Sequence, residues 1–149
     1  MDSANIIEIG LDRGPCFGTC PVFRFTASRH SGYSYEGGSY AQPVGSRSGR
    51  FPGHLFDRLA EVCVELRVLE LDDLYPSHFE DVPLVIVTVR HKTGEKVFRD
   101  EGHRPVPVRL WAFAELIEVV MREAFYIEDR QTRSRRGRHP DLNSTDDEA

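Results

Sequence analysis

Residues 5–27, NIIEIGLDRGPCFGTCPVFRFTA, decide how the chain is read. Ile7, Ile9 and Leu11 alternate on the way in, and Phe23, Phe25 and Ala27 alternate on the way out, the period-two pattern of half-buried strands. Between them lie two glycines, two prolines and the pair Cys16 and Cys20, a composition that makes a compact turn. Two antiparallel strands joined across a cysteine turn are therefore the seed of the fold.

The next stretch continues the pattern. SRHSG supplies turn residues, with Gly32 free to take positive φ, and YSYEG resumes with Tyr33 and Tyr35 on one side, giving a three-stranded meander. Residues 36–50, EGGSYAQPVGSRSGR, are rich in Gly and Ser and read as a loop with at most a short strand at Tyr40–Val44. From there the period changes to that of a helix, over residues 52–68: Leu55, Leu59, Val62, Cys63, Leu66 and Leu69 share one face, and Pro52 suits the first turn. DDLYPSHFEDVP reads as loop, PLVIVTVRH as a covered strand, and HKTGEK as a hairpin turn leading to KVFR. A second helix over 106–126 carries the broad stripe Leu110, Phe113, Ala114, Ile117, Val120, Met121 and Ala124, with Trp111 assigned to the same packed face.

The expected architecture is α+β: an antiparallel sheet of about five strands, ordered β-β-β-α-β-β-α, with two helices packed on one face. Residues 5–126 form the single domain, and 127–149 form a disordered tail, Arg-rich and then acidic.

The chain has 149 residues and net charge −5, and its apolar fraction of 40% suffices for one core. The acidic balance disfavours a folded nucleic-acid groove, which needs a basic face. Polyanions or acidic partners are left to the tail arginines Arg130, Arg133, Arg135, Arg136 and Arg138. No apolar run approaches membrane-spanning length, and the start MDSANIIEIGLD lacks the pattern of a secretion signal, so the cytoplasm is the expected compartment.

Four stretches carry a resemblance. CFGTCPVF, Cys16–Phe23, SGYSYEG, YPSHFEDVP and PVPVRLWAFAELIEVV together resemble a family of small bacterial domains of unknown function marked by a Cys-Phe-Gly-Thr-Cys-Pro-x-Tyr/Phe signature. The resemblance spans about residues 5–125, with Ser31 where the family usually has an acid. It implies a fold class and no activity. Many members look exported or lipid-anchored, a setting in which the two cysteines are oxidised; in a reducing compartment they stay thiols.

Candidate chemistry centres on the cysteine turn. Cys16 and Cys20 have a spacing that zinc thiolates use, but a closed site needs two further ligands. His30, His54, His78, His91, His103 and His139 are scattered with no ligand spacing, and Cys63 sits on a helix stripe, so no metal or other cofactor is assigned. Redox pairs prefer Cys-x-x-Cys at a helix start, whereas here a strand follows and Pro21 removes one amide. A structural disulfide, a thiol switch and a plain compact turn all stay open. Gly14, Gly18 and Thr19 are candidates for presenting amides to an anion or peptide carboxylate, and Asp81 for capping the turn into the covered strand.

No catalytic residue is assigned. GSRSG places Arg47 where a nucleophile-elbow serine would stand, and no phosphate loop occurs. The aromatics Phe23, Phe25, Tyr33, Tyr35 and Tyr40 lack the interleaved basic residues of a base-stacking platform and are expected in the core. The functional expectation is a non-enzymatic binding or scaffolding domain whose partner is a protein or small ligand. A thiol switch and tail-driven association are the alternatives.

Overall fold

In the computed structural model, residues 1–77, 83–102 and 106–137 are described. Asp81 and Arg138 lie outside them, and with them the capping role and one of the tail charges.

Strands β1 (Ile6–Arg13), β2 (Phe23–Ser28) and β3 (Gly32–Gly37) form the expected antiparallel meander. A further strand, β4 (Gly45–Gly49), pairs with β3, so the Tyr40–Val44 position is corrected by several residues. Ser46 and Ser48 are exposed there while Arg47 turns toward Glu128 of the last helix, which is alternation without a hydrophobic signal. Helix α1 (Gly53–Glu65) begins directly after Pro52. The stretch read as loop contributes a two-residue strand, β5 (Leu74–Tyr75). Then come β6 (Val85–His91), β7 (Gly94–Asp100) and helix α2 (Val108–Gly137).

The sheet order is β4-β3-β2-β1-β6-β7-β5, with β5 parallel to β7 and every other pair antiparallel. The expectation of about five antiparallel strands is thus corrected to a mixed sheet of seven. Both additions are edge strands, too short or too polar to show a period. β1 lies at the centre because it pairs with both β2 and β6.

One face of this sheet makes the core. Across the strands, Ile9 aligns with Ala27 and Tyr33, and Leu11 with Phe25 and Tyr35; on the other side of β1 they face Val89 and Val87. These residues are buried together with Phe56, Leu59 and Cys63 of α1 and Phe113, Ile117 and Met121 of α2. Ile6 rather than Ile7 joins them, because a β-bulge between Ile6 and Glu8 shifts the alternation by one residue. Every residue of the expected α2 stripe is buried. Trp111 is the exception to the packing reading: it is 61% exposed, at the edge of the helix–sheet interface beside Val85 and Asp100.

α2 does not stop at Tyr126 but continues to Gly137, which corrects the tail boundary for residues 127–137. The added turns have no apolar stripe to announce them. They are held by polar contacts to β4, described below. Among the described residues, no helix is long and apolar enough to cross a membrane.

Candidate functional site

Gly14–Val22 connects β1 to β2 across one end of the sheet. The chain is pinned on both sides: the Gly14 amide donates to Leu84 O at 2.8 Å, Val22 N to Ser39 O at 3.0 Å, and Gly38 N to Val22 O at 2.8 Å. Gly14 allows a close approach, since a Cβ there would meet the Leu84 side chain at 3.3 Å, a tight contact to which Leu84 would have to yield. Its amide is already committed, so the structure removes Gly14 from the anion-presenting set. Gly18, at φ +130°, and Thr19 stand at the exposed tip.

Cys16 and Cys20 are joined by a disulfide, with Cα atoms 5.7 Å apart. The closed ring holds only Phe17, Gly18 and Thr19 between its cysteines, too short a chain to turn a side chain back to the core. Phe17 is consequently 85% exposed. Sequence reasoning passes over this residue, although the three-residue spacing is the available signal. Cys63 is remote in character: it is buried in α1, and burial pushes its thiol pKa up to about 12, so it stays protonated and unreactive. Among the described residues no group of three His, Cys, Asp or Glu side chains is placed to hold a metal ion.

Beside the loop lies a hollow of about 470 Å³, within the roughly 300–1,000 Å³ of small-molecule and side-chain pockets. Its walls are Val22, Leu84 and Ile86, and its rim carries Asp12, Arg24 and Glu36. The Arg24 Nε donates to Asp12 Oδ2 at 3.2 Å. Burial raises the Asp12 carboxyl above its ordinary value, and the Arg24 charge pulls it part of the way back. An apolar slot with a short charged rim can take an apolar side chain and align the backbone that carries it. It holds no nucleophile and base in contact.

Of the tail arginines, Arg130, Arg133, Arg135 and Arg136 are all exposed on the helix end; Arg130 lies 5.9 Å from the Tyr126 ring, and Arg135 lines a groove beside the β4–α1 connection.

The second polar assembly, missed at the sequence level, is centred on Arg47. Its Nε donates to Tyr33 Oη at 3.0 Å, and its Nη2 donates to Glu128 Oε1 at 2.8 Å and Asp129 Oδ1 at 3.0 Å. Tyr33 donates to the same Glu128 oxygen at 2.7 Å, and the guanidinium lies 4.2 Å from the Phe125 ring centre. Burial works against the Arg47 charge, but these hydrogen bonds outweigh it and hold the guanidinium more firmly protonated. Tyr33 is pushed up to about 12 by burial and by the Glu128 bond. Its raised value favours the folded state below the ordinary phenol pKa near 10, and that contribution is lost as pH climbs from there through about 12. Absorbance titration at 295 nm is expected to show a late-ionising tyrosine that disappears in a Tyr33→Phe variant, with urea stability falling over the same window; that variant loses this part of the fall.

Residues 7–121 match a protein family described as a domain of unknown function, DUF6438. The chain belongs to this family. The match runs from β1 into α2 and so takes in the cysteine loop, the hollow and β4, while the last turns of α2 lie beyond it. No curated protein matches the chain.

Proposed function

We propose that this member of the family is a non-enzymatic binding module that docks a protein segment at the disulfide end of its sheet. The observation that carries the reading is Phe17, an aromatic 85% exposed on a closed ring beside an apolar hollow. Aromatic anchors dominate binding energies at interfaces, and a ring that is already closed has little conformational entropy left to lose when it docks. Phe17 enters a pocket of the partner, and an apolar side chain of the partner enters the slot between Val22 and Ile86.

The test uses random peptides displayed on phage and panned on the full chain. Selected peptides are expected to move the amide resonances of Phe17, Val22 and Ile86, and Phe17→Ala is expected to weaken them by about 2 kcal/mol, roughly thirtyfold. Peptides that bind Phe17→Ala and Ile86→Glu as tightly as the parent chain overturn the site. A substrate turnover by the purified chain that a loop substitution abolishes overturns the non-enzymatic reading.

The same bond supports a second reading, a thiol switch. In the cytoplasm, the compartment we propose, two equivalents of a small thiol such as glutathione reduce the disulfide to two thiols and leave as their own disulfide. Opening the ring frees Phe17 and weakens docking. Closing a loop this short is worth about 2 kcal/mol to the folded state. The Cys16→Ser, Cys20→Ser double variant is expected to lose about that much in urea unfolding, while the core stays intact because neither sulfur belongs to it. Equal peptide affinity with and without the bond counts against the switch.

A further inference from the structure

On the other side of the molecule, the last turns of α2 overhang the connection from β4 to α1. Between them runs a groove of about 720 Å³, inside the size range of small-molecule sites. Its apolar base is made by Phe51, Pro52 and Ile127, and its polar walls carry Arg50, Gln131 and Arg135.

Both walls of this groove carry a cation, Arg50 on one and Arg135 on the other. Arg13, Arg24, Arg29, Arg47, Arg90 and Arg99 each hold a carboxylate. Arg50 and Arg135 hold none among the described residues, although the chain is net acidic at −5. The acid that does line the groove, Glu128, gives its Oε1 to Arg47 and Tyr33 and makes no ion pair with either groove cation. Those same bonds fix the helical wall in place.

We propose that this groove binds an amphiphilic anion, a carboxylate or phosphate monoester carried on a short apolar chain. Arg50 and Arg135 clamp the anionic head from the two walls, as guanidinium groups do with planar or tetrahedral oxyanions. Phe51, Pro52 and Ile127 cover the apolar body. A bare anion gains only the clamp and a neutral alcohol only the base, so each alone binds more weakly.

Octanoate, octyl phosphate, inorganic phosphate and octanol, titrated into the full chain and followed by amide shifts, test this. Octanoate or octyl phosphate is expected to saturate with shifts at Gly53, Gln131 and Arg135, at least tenfold tighter than phosphate or octanol; which of the two binds better assigns the head group. Arg50→Gln and Arg135→Gln each weaken that binding at least tenfold with unchanged thermal midpoints, because neither side chain has a carboxylate to lose. Arg133→Gln, on the same turn but outside the groove lining, changes nothing. Equal losses in Arg133→Gln and Arg135→Gln, or a short RNA strand competing through both, would mark a diffuse basic surface and overturn the groove. Saturation that survives both Arg50→Gln and Arg135→Gln overturns it as well. None of these outcomes depends on the disulfide loop.

Discussion

Phe25→Ala is expected to remove about 4 kcal/mol of unfolding free energy, read from urea denaturation, against about 1 kcal/mol for Phe25→Leu. Phe25 is fully buried on strand β2, where its ring lies 6.3 Å from Tyr33, 5.8 Å from Phe51 and 6.4 Å from Phe125. Those three rings come from β3, from the lead-in to α1 and from α2, so one side chain joins the sheet to both helical regions. Truncation loses the transfer energy of the ring and leaves a cavity that rigid aromatic neighbours cannot fill. Domains of this size hold only about 5–15 kcal/mol in total, so the variant should be marginal at 37 °C. A loss below about 1 kcal/mol would mean that the cluster repacks freely and that Phe25 is not its keystone.

How far the fold can be read from the sequence depends on what buries each element. β1, β2, β3 and the first part of α2 are held by apolar faces, so their periods appear directly in the residues. β4 is GSRSG and has no large apolar residue at all; what fixes it is its ladder to β3 and the one inward side chain, Arg47. β5 is two residues long and pairs only with β7, below any period that could be counted. Alternation assigns Ile7 inward because it assumes an unbroken ladder, and the bulge after Ile6 breaks it. Trp111 shows the opposite error: hydrophobicity alone places it in the core, while its position on α2 leaves it at the rim of the helix–sheet interface, mostly exposed.

The site is legible in its chemistry and hidden in its geometry. Cys16 and Cys20 stand out, and their spacing allows the bond that the structure contains. The hollow needs Leu84 and Ile86, which arrive beside Asp12 and Arg13 only through the pairing of β1 with β6, more than seventy residues away in the chain. Gly14, a free amide on the sequence reading, instead donates its N–H to Leu84 O within that same contact.

Arg47→Met is the second large effect, and it separates the roles of sheet and helix. The change keeps the stem over the Phe125 ring but removes the donors to Tyr33, Glu128 and Asp129. Glu128, partly buried, is left with the Tyr33 hydroxyl as its remaining partner, and an uncompensated carboxylate in that setting costs more than the net value of the bonds lost. A loss of about 2–4 kcal/mol is expected, with amide exchange rising first in residues 127–137, whose attachment to the sheet runs through this cluster. Tyr33 should then ionise even later than in the parent chain, since Arg47 is the one neighbour that lowers its pKa. Glu128→Gln added to the Arg47→Met variant restores part of the loss by neutralising the stranded charge, and a coupling of at least about 1 kcal/mol between the two sites is the expected cycle energy. Independent effects with unchanged exchange at the end of α2 would show that the helix holds itself, and that Arg47 only decorates an edge strand.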